Sequence, residues 1–272
     1  MVCGDRSVTG KTVLTVSGLI DAEQQHMRGR SLVALLNRIS LQLRRLLNNE
    51  YQRSEWIQRQ LQLLPPGSRI LDAGCGRQPY RAFCRHLAYY AQDFGRYEMD
   101  EKESLTAAKR PYVYGRIDYT GNIWEIDEQD AFFDAILCTE VFEHIPYPNR
   151  ALAEFARLLK GGGRLILTVP SNALRHMDPF FYYSGFTDRF LTLALAETGF
   201  HDVNIVPEGS YHAWLMVEEA RTMRHEGFFA WLALWPAFIY HYLRQRRATE
   251  KEINTLCFGY YVTAVKGPGG SP

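Results

Sequence analysis

At 272 residues, 46% hydrophobic and 22% charged, the chain is long enough to bury a sizeable core and has the composition of an ordinary globular protein. Lys and Arg total 31 against 30 Asp and Glu, a net charge of +1, which excludes a general electrostatic attraction to nucleic acid, and 13% aromatics exclude disorder along the whole length. Five cysteines (Cys3, Cys75, Cys84, Cys138 and Cys257) stand far apart with no CxxC pair, which fits neither a disulfide framework nor a thiolate zinc site and points to a reducing compartment. Asp5, Arg6 and Lys11 interrupt any signal-peptide run, and no apolar run reaches the roughly 18 residues of a spanning helix, so a cytoplasmic protein is expected.

In chain order, residues 12–20 read as a short strand. Gly10-Lys11-Thr12 looks like the end of a phosphate loop, but the spacing back to Gly4 is wrong and no apolar strand precedes it. Met27 is a candidate start, with 1–26 an extension. Residues 31–47 predict an amphipathic helix with Leu32, Leu35, Leu36, Ile39, Leu43, Leu46 and Leu47 on one face and Arg38, Arg44 and Arg45 mostly off it. A second helix is expected at 54–64, with Ser54 as N-cap and Pro65-Pro66-Gly67 as the stop. From residue 69 strands and helices alternate, the pattern of βαβ units and a parallel sheet. Strands are expected at 69–72, 88–92, 117–120, 133–138, 164–169, 203–206 and 255–265. Helices are expected at 79–87, 148–160 with Gly161 as its stop, and 188–198. The organisation predicted is an N-terminal extension with helices (1–66), a main domain (67–267) with a helical insertion at about 210–252, and a tail (268–272).

The most informative stretch is Ile70-Leu-Asp-Ala-Gly-Cys-Gly76. Glycines after a strand let the backbone turn tightly and approach a ligand, which in a doubly wound sheet lies beyond the carboxyl ends of the strands. Asp93, at the end of the second strand, can take both hydroxyls of a ribose. Phe133-Asp-Ala-Ile-Leu-Cys138 follows, then Thr-Glu-Val-Phe-Glu-His-Ile, and Leu158-Leu-Lys-Gly-Gly-Gly-Arg-Leu-Ile-Leu turns into the fifth strand. With these three motifs in order, the chain resembles the class I S-adenosylmethionine-dependent methyltransferases, tightly over about 69–206. That resemblance implies a Rossmann-like, doubly wound seven-stranded α/β sheet and S-adenosylmethionine as cofactor. It implies cofactor binding by Asp72, Gly74, Cys75, Gly76, Asp93, Asn122, Ile123 and Cys138. Asp72 would orient the loop and the cofactor's amino group. Asn122 would stand beside the adenine amine, with Asp118 as the fallback.

Methyl transfer to oxygen needs a base for the acceptor's proton. Glu140, Glu143 and His144, just past the fourth strand, are the catalytic candidates, and His144 has the fitting ordinary pKa. The ExxEH run also resembles the metal-binding segment of quinone-biosynthesis O-methyltransferases and of RNA-end 2′-O-methyltransferases, with His176 as a further ligand; no bound metal is expected. His176, Tyr182 and Tyr183, in an aromatic segment after the fifth strand, are the substrate candidates, suited to a ring or glycan. The expected activity is methyl transfer to a small-molecule or sugar hydroxyl, with no nucleic-acid partner. The alternatives are a metal-assisted RNA-end methyltransferase and a non-catalytic cofactor-binding scaffold. Residues 228–243 are almost wholly apolar or aromatic, interrupted by Pro236 and followed by Arg244, Arg246, Arg247 and Lys251. The segment is expected to split at Pro236 into a pocket cap, burying Trp231, Trp235 and Phe238 near Tyr182 and Tyr183. A peripheral membrane contact through 228–247 is the alternative.

Overall fold

Seven runs pair into one sheet. They are β1 (Arg69–Ala73), β2 (Ala88–Asp93), β3 (Tyr119–Thr120), β4 (Phe133–Thr139), β5 (Leu159–Pro170), β6 (Phe200–Glu208) and β7 (Gly259–Lys266), in the spatial order β3-β2-β1-β4-β5-β7-β6. The computed structural model describes residues 49–97 and 113–268, all within one unit, Leu47–Pro272. The strand and helix expected at 12–20 and 31–47 lie outside the described residues, as does Met27. The first five strands run parallel, while β7 lies antiparallel between β5 and β6. The carboxyl ends of β1, β2, β4 and β5 therefore share one edge, and the loops carrying the candidate residues emerge there.

Alternation along the strands sends side chains to two cores. Leu71, Ile136, Leu165 and Leu167 pack with Leu152 and Phe155 of α2 (Pro148–Leu158) and with Leu191 and Leu195 of α3 (Asp188–Glu197). Ile70, Ala135, Leu137 and Ile166 pack on the other face with Ile57 and Leu61 of α1 (Asn49–Gln62). The boundary expected at 66–67 thus falls inside this unit, because α1 supplies part of the core. Helix α1 starts earlier than expected, which places Ser54 inside it rather than at its cap.

Other boundaries moved as well. The helix expected at 79–87 is a single 3₁₀ turn, Arg81–Phe83. Pro79 opens the segment, Gln78 before it is left-handed (φ 56°), and the chain must reach β2 at Ala88, so only Tyr80 and Cys84 are buried from it. Helix α2 stops at Leu158, and β5 begins at once and carries the three glycines within it. The last strand starts at Gly259, since the preceding residues form α6 (Glu250–Thr255).

The insertion is helical: α4 (Tyr211–Glu226), α5 (Phe228–Gln245) and α6. Pro236 does not split α5. It lies on the exposed side, so the one carbonyl it leaves without a helical donor faces water. The pocket cap is overturned too, since α5 packs on α4 with only Phe238 of its three named aromatics buried.

Candidate active site

The glycine loop is fixed by β2. Gly74 and Cys75 donate their N–H groups to the Gln92 carbonyl (2.9 Å each), and Gly74 also reaches Gln92 Oε1 (3.1 Å). Gly76 donates to Asp93 Oδ2 and Gly95 donates to Asp93 Oδ1, both at 2.9 Å. Asp93 is buried, yet each oxygen keeps a lone pair, so one carboxylate braces the loop and still offers acceptors at the end of β2. Asp72 lies deeper. It accepts a hydrogen bond from Tyr89 Oη (2.5 Å), and burial, with Asp93 adding repulsion, pushes its carboxyl up to about 7. Its hydrogen bond goes to β2 rather than to the glycine loop.

The loop after β4 lies against the glycine loop. A Cβ on Gly74, whose φ is +72°, would stand 2.5 Å from Val141 Cγ2. Val141 leads into the 3₁₀ turn Phe142–His144, where the three catalytic candidates separate. Glu140 turns away: its Oε2 pairs with Arg53 of α1 (2.8 Å) and its Oε1 accepts from Thr168 Oγ1 (2.9 Å). Glu143 and His144 stay together with His176. His144 Nδ1 lies 2.7 Å from the Phe180 carbonyl, which can only accept, so Nδ1 carries the proton and Nε2 keeps its lone pair. Nε2 is 3.7 Å from Glu143 Oε1, and the His176 ring meets the His144 ring edge-on at 4.7 Å. Burial, reinforced by His176, lowers His144 to about 4, while burial and Glu140 hold Glu143 well above the usual carboxylate range. Both shifts disfavour the charged forms, so burial works against an ion pair between them.

One potential ligand atom each from Glu143, His144 and His176 lies within 4.8 Å of the others, and Glu143 Oε2 is buried with no hydrogen-bond partner among the described residues. A carboxylate and two imidazoles suit a divalent ion such as zinc or manganese. Glu140, counted among the ligands in the sequence reading, is outside this set.

The aromatic segment closes the edge. Tyr182 and Tyr183 donate their N–H groups to the Glu143 carbonyl (2.8 and 3.2 Å), and Tyr183 Oη donates to the Pro146 carbonyl (3.0 Å). Phe180 packs edge-on against Phe94, the residue after Asp93 (4.8 Å), so this segment reaches from the His144 turn to the end of β2. Tyr182 is exposed, whereas Tyr183 packs on the core. An open groove of about 520 Å³ lies beside Tyr183, between residues 146–150 and 185–190; no glycine-loop residue lines it.

A methyltransferase-domain family model matches residues 43–205, more than half of the chain. The chain belongs to the class I S-adenosylmethionine-dependent methyltransferases. Among the relatives of this methyltransferase, the mitochondrial ubiquinone biosynthesis O-methyltransferase of Schizosaccharomyces pombe is 30% identical over 146 residues, 53% of this chain and 48% of that one. The ubiquinone biosynthesis O-methyltransferase of Coxiella burnetii is 30% identical over 164 residues, 58% of this chain and 60% of that one. The chain spans about half the length of the curated relatives it matches. A SAM-dependent methyltransferase from Archaeoglobus fulgidus shares the fold, with TM-score 0.50 and 15% identity over 80% of this chain and 95% of that one.

S-adenosylmethionine fits the methyltransferase's glycine loop and Asp93, whose carboxylate is already oriented by two backbone N–H groups. The remaining cofactor candidates divide. Asn122 is exposed after β3, whereas Asp118 spends Oδ2 on the Ala91 N–H (3.0 Å). Ile123 and Cys138 are buried in the first core, so their side chains pack there instead of lining a cleft. Sequence reasoning missed Arg53, Tyr80, Glu208 and Tyr261. Arg53 is charged in spite of burial because Glu140, with Tyr80 and Glu208, surrounds it. Trp56 stacks on Tyr261 at 4.9 Å. These residues lie on four separate elements, and no local spacing connects them.

Proposed function

We propose that the chain moves the methyl group of S-adenosylmethionine to a hydroxyl of a small molecule, with His144 as the base. The methyl leaves the sulfonium for the acceptor oxygen, the sulfur keeps the bonding pair as S-adenosylhomocysteine forms, and the hydroxyl proton passes to His144 Nε2. The observation that carries this reading is the Phe180 carbonyl on Nδ1, which leaves Nε2 free on the loop that touches Gly74. Burial lowers its pKa to about 4, away from the ordinary value expected from the sequence, so the imidazole is neutral near pH 7 but a weaker base than a free histidine. Relatives named as O-methyltransferases support an oxygen acceptor, and exposed Tyr182 beside Phe181 offers a surface for a ring. Incubation with a panel of phenols and sugars, read by mass spectrometry, should show gain of one methyl group. His144→Ala should then lower turnover by about 10²–10⁴-fold with cofactor affinity nearly unchanged; unchanged turnover would remove His144 from the chemistry.

The clustering of Glu143, His144 and His176 favours a second reading in which the three hold a divalent ion. Such an ion would make the acceptor hydroxyl more acidic. Turnover abolished by a chelator and restored by added metal would establish this reading, and turnover indifferent to chelator would dismiss it.

A further inference from the structure

Helix α5 meets α4 along one stripe only. Leu234, Phe238 and His241 recur at helical spacing and are at least partly buried, and His241 reaches His212 and Glu219 of α4 (2.8 and 3.4 Å). The opposite stripe is apolar too, and it faces outward. Phe228 and Phe229 are 69% and 82% exposed, Leu232, Ile239 and Leu243 are also exposed, and Trp231 and Trp235 stack along the border at 5.3 Å. A surface strip this apolar marks an interaction site. It runs directly into cations. Arg246 keeps helical backbone angles, and it follows Phe228 by five turns of 3.6 residues, so it lies on the same line. Arg247 and Lys251 are exposed beside it. Arg244 is spent on Glu252 (2.6 Å), and Glu218 and Glu219 of α4 face Arg221 and His241. No described helix is long and apolar enough to cross a membrane.

We propose that α5 is a membrane-surface helix, laying Phe228, Phe229, Leu232 and Ile239 into the interfacial layer of an anionic bilayer while Arg246, Arg247 and Lys251 meet headgroup phosphates. Aromatic rings ending in cations match the boundary between acyl chains and anionic headgroups.

The full chain is sedimented with vesicles of phosphatidylcholine alone or mixed with phosphatidylglycerol. It should follow the phosphatidylglycerol vesicles only. Phe228→Ser with Phe229→Ser, and separately Arg246→Glu with Arg247→Glu, should each weaken binding by about tenfold or more. All four positions are exposed, and thermal unfolding of the variants at the wild-type temperature would show that the fold persists. Three results overturn the proposal: sedimentation with neither vesicle, equal binding to both that survives the charge reversal, or concentration-dependent dimers lost in the serine variant without vesicle binding. The last would assign the face to a second copy. S-adenosylmethionine affinity, measured on the same variants, should not move, so this test stands apart from the reading of the active site.

Discussion

A methyl group added at Gly74 collides with Val141, so this glycine lets the loop after β4 lie directly against the glycine loop. A positive φ there costs any L-residue about 1–2 kcal/mol before the clash is counted. Gly74→Ala should therefore unfold at lower temperature and bind S-adenosylmethionine poorly, and Val141→Ala in the same chain should recover part of both; calorimetry on the two variants checks it, and no recovery would mean Val141 is not the obstacle. Glu208 offers a residue-scale pH prediction. Burial raises its carboxyl from 4.5 to about 7, against the pull of Tyr261 and Arg53. Between those values the unfolded chain releases the proton and the folded one keeps it, so Glu208 makes stability fall as pH rises from about 4.5 to 7. Glu208→Gln removes that slope. Melting temperatures across this range should show the variant gaining on wild type with rising pH, and parallel curves would contradict the assignment.

The loop between β3 and β4 shows how one element positions another. Glu154 of α2 accepts from the Ile126 N–H (2.7 Å) and pairs with Arg157, which in turn donates to the carbonyls of Ile126 and Glu128. This clamp holds the loop that carries Asn122. Glu154→Ala leaves a buried N–H without an acceptor and should cost about 1–3 kcal/mol, seen in denaturant unfolding, with faster hydrogen exchange in residues 121–128; exchange unchanged there would show that the clamp is not needed. At this scale the sequence was readable where periodicity is long. Helices α2 and α3 and strands β4 to β6 announce themselves by apolar spacing. The helix expected at 79–87 shrinks to one 3₁₀ turn because the left-handed Gln78 and Pro79 open a segment that buries only Tyr80 and Cys84, too little apolar surface to fix a longer helix. Pro236 was read as a breaker because its exposure, which makes the lost hydrogen bond tolerable, is a tertiary fact.

For the whole molecule, the order of motifs was enough to indicate the sheet, because each glycine or acidic residue ends a strand at the same edge and the parallel pairing leaves few alternatives. The contents of the site were less legible. Glu140 and Glu143 share one sequence motif, yet a left-handed turn at Glu140 (φ 52°) and the arrival of Arg53 from α1 send them to different partners. Side chains brought together from α1, the residue before the 3₁₀ turn at 81–83, β6 and β7 leave no trace in local spacing. The central claim is that the glycine loop and Asp93 hold S-adenosylmethionine beside the His144 turn. Calorimetric titration of the cofactor into wild type, Asp93→Ala and His144→Ala tests it most directly. The account predicts saturable binding to wild type, affinity lower by about 1.5–3 kcal/mol in Asp93→Ala, and nearly unchanged affinity in His144→Ala. No binding heat with wild type, or equal affinity in Asp93→Ala, would contradict it.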